Sequence, residues 1–171
     1  IMRALPEMSV IAPGDPAEAA LATQAIASQD GPYYLRLSKA GDPVVHQSMP
    51  DFQIGKALRL REGSDITLIS TGGMLENTVK AADELARKGI TARVISMHTV
   101  KPIDAEAVNH AASETRAILA VEEHNTIGGL GGAVAEVLAE SGISNIVFKR
   151  LGISGGFCRA VGSQEYLRNI Y

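Results

Sequence analysis

Between residues 56 and 151, short apolar runs typical of strands alternate with longer runs of helical periodicity. We predict strands at 56–61, 65–70, 91–97, 117–121 and 145–151, and helices at 74–88, 104–113 and 131–140. Neighbouring parallel strands need a long crossover between them, and a helix is the usual one. The alternation therefore predicts an α/β fold with a mostly parallel sheet of about five strands.

The helix predicted at 74–88 has the clearest periodicity. Its apolar residues fall on one face at a spacing of about 3.6 residues, and they are Leu75, Val79, Ala82 and Leu85. Gly89 follows at the position where many helices end in the left-handed region. We expect this face to pack on the sheet.

The first fifty residues predict a separate β-α-β unit, with strands at 8–12 and 33–37 and a helix at 16–28. Asp15 is placed to cap that helix, Pro16 suits its first position, and Glu18 completes a capping box. From residue 39 to residue 50 the periodicity disappears among Gly and Pro residues. This stretch reads as a linker, with a boundary near residue 50.

Composition excludes several classes of protein. With 46% apolar and 20% charged residues the chain is globular, and its net charge of −3 is spread without a basic stripe that would suit a nucleic acid. The single cysteine, Cys158, allows no intrachain disulfide, and we assign it no chemistry. No apolar run approaches the ~20 residues of a membrane span. We expect a cytoplasmic protein, with residues upstream of Ile1.

The glycine-rich stretch 128–132 follows a strand and opens a helix, so it has two interpretations. It could bind a phosphate at the helix N-terminus, or it could turn tightly and pack the helix close to the sheet. The dinucleotide fingerprint fails because Val134 stands where its third glycine belongs, and no acidic residue ends the next strand. We favour the packing interpretation.

The triplet Glu122-Glu123-His124 stands at the predicted end of a strand, where it could transfer protons or bind a metal. Adjacent strand residues point in opposite directions, and His98 and His110 are isolated in sequence, so we favour an ordinary loop histidine. The stretch 97–104 reads as a connection in which Asp104 caps the next helix. Lys101 would then be a surface charge or an interface ion-pair partner.

Arg36 and Lys39 lie at the carboxyl end of the strand predicted at 33–37. At this edge of a parallel sheet a cation could hold the phosphate of a sugar phosphate, although a solvated basic pair is also compatible with the pattern.

In their order and residue patterns these segments resemble the C-terminal half of the transketolase family. Within it, Leu35-Arg36-Leu37-Ser38-Lys39 resembles the C-terminal subunit of split transketolases more than it resembles the dehydrogenase version. Residues 3–6, 10–15 and 32–39 are similar to the closing β-α-β of its pyrimidine-binding domain, and residues 65–74, 100–104 and 121–132 are similar to its C-terminal domain. The most specific part is Glu-Glu-His followed by Gly-Gly-Leu-Gly. The resemblance divides the chain into a pyrimidine-binding portion (1–40), a linker (41–52) and a three-layer C-terminal α/β domain (53–171).

The resemblance implies transfer of a two-carbon ketol unit between sugar phosphates, with thiamine diphosphate as the electron sink beside a divalent metal, Mg or Ca. In the family these groups, and the catalytic residues, belong to sequence that matches upstream of Ile1. The resemblance therefore implies an N-terminal transketolase section or subunit as partner and a homodimer through the family contacts. We expect no catalytic residue and no cofactor on this chain alone, and we expect the isolated chain to be inactive.

Among site residues the resemblance carries over only Lys39, which stands where typical transketolases have a phosphate-binding arginine after Leu-Ser. Lysine lacks the bidentate fork of arginine, so Arg36 would have to help or the substrate would have to differ. Three alternatives remain: the β subunit of a 2-oxo-acid dehydrogenase, a relative of deoxyxylulose-phosphate synthases, and a non-catalytic assembly or regulatory module.

Overall fold

The computed structural model describes residues 1–38 and 41–171 and contains two sheets. Its strands are β1 (Ser9–Ile11), β2 (Tyr33–Leu35), β3 (Leu58–Arg61), β4 (Ile66–Ser70), β5 (Ala92–Ser96), β6 (Thr99–Lys101), β7 (Ala117–Asn125) and β8 (Val147–Ile153). Its α-helices are α1 (Pro16–Ala27), α2 (Leu75–Arg87), α3 (Ala105–Glu114), α4 (Leu130–Glu140) and α5 (Gln164–Ile170). Short 3-10 helices span Met2–Ala4 and Gly72–Met74.

The smaller sheet has the order β2-β1-β6. Strands β1 and β2 are parallel and α1 connects them, which is the predicted β-α-β unit. The capping box is present, because Oδ1 of Asp15 accepts from the Glu18 amide at 2.9 Å and Oε2 of Glu18 accepts from the Gly14 amide at 2.6 Å. Strand β6 joins the other edge of β1 in antiparallel orientation. The prediction that 97–104 is only a connection is therefore wrong, since this pairing is distant in sequence.

The larger sheet has the order β3-β5-β4-β7-β8. Strand β3 is antiparallel to β5, and the other neighbours are parallel, as predicted for a mostly parallel sheet of about five strands. The three central strands are aligned so that Ile66 lies between Ala92 and Ala117. Because parallel strands share a direction, their carboxyl ends meet at one edge of this sheet.

Helices cover both faces of the larger sheet. On one face α3 and α4 pack over a buried core that includes Ile69, Ile118 and Val134. On the other face α2 buries Leu75 and Ala82 against the sheet, which confirms the predicted apolar stripe. Gly89 has a φ of 76°, the left-handed conformation expected after this helix.

The C-terminal region departs from the prediction in two ways. Strand β7 continues to Asn125, beyond the predicted end at residue 121. The tail contains α5, which was not predicted because it is a short element of 7 residues that is held by hydrogen bonds to distant parts of the chain. Among the described residues, no helix is long and apolar enough to cross a membrane.

Part of the segment predicted as a linker is held against α1. Oδ2 of Asp15 accepts from the backbone amides of Val45 and His46 at 3.0 and 2.9 Å. The His46 ring follows, with Nδ1 lying 3.1 Å from the same Asp15 oxygen and Nε2 lying 3.7 Å from Oε1 of Glu18. This stretch is therefore anchored at its middle by buried carboxylates, and the division of the chain near residue 50 remains a proposal.

Candidate functional site

Arg36 lies immediately after β2, at the place where the two sheets meet. Its backbone amide donates to the Ile11 carbonyl at 2.8 Å, which fixes the start of the side chain. The side chain is 35% exposed and lines three cavities, with volumes of about 370, 420 and 20 Å³. The smallest has room for a single water, so an anionic ligand of Arg36 would occupy one of the two larger cavities. Lys39, the other predicted phosphate ligand, lies outside the described residues.

The nearest carboxylate recorded for Arg36 among the described residues belongs to Glu123, whose Oε2 lies 4.0 Å from Nη2. Oε1 of Glu123 accepts from Nε2 of Gln164 at 2.6 Å and from Nε of Arg168 at 2.9 Å, both on α5. Glu123 stands four residues after Leu119 on β7, so the two side chains point to the same face of the sheet, the face that packs on α2. The site thus combines the end of β2, the end of β7 and the C-terminal helix.

The start of α2 completes this corner. Gly72 has a φ of 58°, and a Cβ at this position would lie 3.6 Å from Nη1 of Arg36. Helix α2 begins at Leu75, directly after the 3-10 turn Gly72–Met74, and the Leu75 amide donates to the Gly72 carbonyl. The guanidinium of Arg36 favours a negative charge nearby, so the corner is chemically suited to an anion.

The glycine-rich stretch does not offer a second anion site. Glu122 is 3% exposed, and its two carboxylate oxygens accept from the amides of Leu130 and Gly131 at 2.9 and 2.8 Å. The N-terminus of α4 is therefore already filled by a carboxylate of the protein. A Cβ on Gly129 would lie 1.7 Å from Oε2 of Glu122, which is the physical reason for glycine there. The packing interpretation of this stretch is confirmed.

Sequence reasoning missed the capping role of Glu122. The available signal was the parity of β7, because Glu122 lies on the same face as the core residues Ile118 and Ala120, and Glu123 lies on the opposite face. His124 is half exposed, and its Nδ1 lies 3.0 Å from the Asn125 carbonyl oxygen and 3.7 Å from Oε2 of Glu122. The expectation of an ordinary hydrogen-bonded histidine is met, but His124 stands on β7 and not in a loop.

A buried polar cluster lies between the two sheets, away from the cavities around Arg36. Glu18 is fully buried, and burial raises the pKa of its carboxyl. Burial also works to raise the pKa of Asp15, but the hydrogen bonds that it accepts from Glu18, His46 and Val45 hold that pKa below its usual range. His98 is fully buried with its ring stacked on Phe52 at 4.1 Å, and burial lowers its pKa to about 4.

The remaining candidate residues are scattered. Nζ of Lys101 donates to the Leu5 carbonyl, which ties β6 to the N-terminal turn. His110 lines a shallow groove beside α3, and Cys158 is exposed in the tail. Of these three residues only Cys158 shares a cavity with Arg36, the one of about 420 Å³.

The described residues do not form a site for thiamine diphosphate and its metal. No group of three or more His, Cys, Asp or Glu side chains in residues 1–38 and 41–171 is arranged to hold a metal ion. The glycine-rich helix start, a type of site that can bind a diphosphate, is filled by Glu122. We therefore derive no chemical step through this cofactor on the chain itself.

Comparison with known proteins places this geometry in a family. Residues 55–168 match the family model "Transketolase, C-terminal domain". The chain is 41% identical over 98% of its length to the 6-deoxy-6-sulfo-D-fructose transketolase subunit of Clostridium sp. (strain MSTE9), covering 51% of that protein. It is 37% identical over 98% of its length to a putative transketolase C-terminal section of Methanocaldococcus jannaschii, covering 52% of it.

A solved structure of a split-gene transketolase, described as an inactive beta4 tetramer, superposes with a TM-score of 0.93 at 38% identity, covering 99% of this chain and 55% of that one. The chain thus spans about half the length of the curated relatives that it matches. The family model covers residues 55–168, whereas the sequence and structural matches extend over nearly the whole chain and so include both sheets. The chain belongs to the transketolase family, as a C-terminal section of it.

Proposed function

We propose that this chain works together with an N-terminal transketolase section, and that the complete protein transfers a two-carbon ketol unit between sugar phosphates. Thiamine diphosphate and a divalent metal are held by the N-terminal section, and the complete protein is a homodimer of such assemblies. This proposal is supported by the similarity to a split-gene transketolase and to a transketolase subunit, each of which is about twice as long as the part that this chain matches.

The contribution of this chain to the substrate site is a cationic end of β2. The observation that carries this assignment is the position of Arg36, whose guanidinium lines two large cavities and lies 4.0 Å from the carboxylate of Glu123. A guanidinium can bind a phosphate through two parallel hydrogen bonds. Arg36 supplies the fork that lysine at position 39 lacks, and Lys39 adds a point charge.

The test is a reconstituted enzyme assayed with phosphorylated and unphosphorylated acceptor aldoses. A lost charge-assisted hydrogen bond costs about 1.5–3 kcal/mol, so Arg36→Gln and Lys39→Ala should each raise the KM for phosphorylated acceptors by about tenfold or more. Unphosphorylated acceptors should be almost unaffected. Lys88→Ala, which removes an exposed cation at the end of α2, is the matched control. Equal losses with both acceptor classes would show that the two residues are structural.

A second measurement tests the division of labour between the two sections. Calorimetry should detect no micromolar binding of thiamine diphosphate and magnesium to the isolated chain, and clear binding once the N-terminal section is added. Tight binding by the isolated chain would contradict the proposal. Binding to a lipoyl-bearing acyltransferase core, which ketol transfer does not need, would instead place the protein with the 2-oxo-acid dehydrogenases.

A further inference from the structure

The carboxylate of Glu123 lies between two arginines and is shared unequally. Oε1 accepts from Nε of Arg168 at 2.9 Å and from Gln164 at 2.6 Å, whereas Oε2 is 4.0 Å from Arg36. The first two distances are hydrogen bonds, and the third is an ion pair without one. The charge of Glu123 is therefore held by hydrogen bonds to α5, and within residues 1–38 and 41–171 the guanidinium of Arg36 donates no hydrogen bond, so it can bind a ligand.

Arg168 holds its position by a second contact. Its Nη2 donates to the Gly73 carbonyl at 2.9 Å, next to the start of α2. A Cβ at position 73 would lie 2.9 Å from this nitrogen, so glycine allows the close approach. The guanidinium of Arg168 is thus fixed by backbone on one side and by Glu123 on the other, and its side chain is only 25% exposed.

If Arg168 were lost, Glu123 would lose its arginine partner on α5, and Arg36 would be the nearest remaining guanidinium. The Glu123 carboxylate lies 4.0 Å from Arg36, so a movement of about 1 Å would bring the two within hydrogen-bond distance. At that distance an arginine and a carboxylate can form a bidentate pair. Such a pair would occupy the fork that an anionic substrate group needs. While its hydrogen bonds to α5 are intact, the Glu123 carboxylate does not occupy the hydrogen-bond donors of Arg36.

We propose that Arg168 is a positioning residue that withholds Glu123 from Arg36, so that the C-terminal helix sets the affinity of the site for the anionic end of the substrate. This inference rests on the proposed function, because it assumes that Arg36 binds a phosphate. It assigns α5 a role in the substrate site although α5 lies on a distant part of the chain.

The test compares three variants of the complete, reconstituted enzyme. Arg168→Gln should raise the KM for phosphorylated acceptors by about fivefold or more and leave kcat and the unphosphorylated acceptors little changed. Glu123→Gln should leave that KM unchanged or lower it, since the competing charge is gone. The double variant Glu123→Gln with Arg168→Gln should behave like Glu123→Gln alone. This rescue is the central expectation, because a merely structural role for the Arg168–Glu123 pair predicts losses in both single variants and no recovery in the double variant.

A second readout separates this inference from the phosphate assignment. In thermal unfolding of the complete protein, the Tm coupling between Arg36→Gln and Glu123→Gln should be small, and it should increase when Arg168→Gln is also present. An unchanged coupling would overturn the positioning role, whatever Arg36 binds. If the coupling increases but Arg36→Gln does not alter the KM for phosphorylated acceptors, the positioning of Glu123 stands and the phosphate site of the proposed function fails.

Discussion

Replacing Glu122 by glutamine should destabilise the chain strongly, because this carboxylate caps α4 from the neighbouring strand. Its two oxygens accept from the amides of Leu130 and Gly131 at 2.9 and 2.8 Å, and the side chain is almost completely buried. Helix α4 has no side-chain cap from its own N-cap residue, Gly129. Among the side chains of residues 1–38 and 41–171, only that of Glu122 accepts from these two amides.

The magnitude follows from these contacts. Glutamine keeps one oxygen acceptor but directs an NH₂ group at the other amide, so one charge-assisted hydrogen bond, worth about 1.5–3 kcal/mol, is lost. The interaction of a negative charge with a partly buried helix N-terminus adds up to about 2 kcal/mol. We expect a loss of about 3 kcal/mol in the free energy of unfolding, or roughly 6–12 °C in Tm for a chain of this size.

The assay is urea unfolding of the chain followed by circular dichroism, with the free energy extrapolated to water. Glu123→Gln is the matched control, since it makes the same change at the next residue, where the side chain is 22% exposed and contacts α5. We expect the control to lose about 1 kcal/mol or less. A loss below about 1 kcal/mol for Glu122→Gln, or equal losses in the two variants, would refute the capping role.

Three further predictions test other parts of the structure. Gly129→Ala should lower the free energy of unfolding by at least about 2 kcal/mol, because the new Cβ would displace the capping carboxylate of Glu122. The control Gly132→Ala, whose Cβ would meet its nearest atom at 4.0 Å, should leave that free energy unchanged or raise it by roughly 0.5–1 kcal/mol. Equal effects of the two variants in denaturant unfolding would contradict the geometry. The lowered pKa of His98 means that the folded state disfavours its protonated form. The contribution of His98 to the free energy of unfolding should therefore be complete above pH 6.5 and fall by up to about 3 kcal/mol as the pH approaches 4. His98→Gln should flatten this part of the stability–pH curve, and an unchanged slope would show that other groups cause it. Asp15→Ala should release the segment 41–52 and speed its cleavage in limited proteolysis several-fold, and an unchanged cleavage rate would show that the two amide contacts do not hold the segment.

Most of the secondary structure could be predicted because its determinants are local. The stripe of Leu75, Val79, Ala82 and Leu85, the capping box at Asp15 and Glu18, and the left-handed Gly89 each depend on residues within a few positions of one another. The alternation of strands and helices then predicted a mostly parallel sheet, because this order of elements is typical of α/β folds. The family resemblance could be stated from the same local wording.

The candidate site could be predicted only in outline. The end of β2 was recognised as a place for a cation, because the carboxyl edge of a parallel sheet gathers functional groups. The partners of Arg36 could not be predicted, since Glu123 and Arg168 stand on β7 and α5 and no pattern in the sequence links them. For the same reason the antiparallel pairing of β6 with β1 and the docking of α5 were missed.

The sequence by itself thus determined the class of fold, the order of its elements and the family. The tertiary structure decided what each charge does. Glu122 and Glu123 are adjacent and chemically identical, yet one fills the N-terminus of α4 and the other links α5 to the end of β2. The physical reason is that strand parity sends neighbouring side chains to opposite faces, and only the packed structure places a helix start on one face and two arginines on the other.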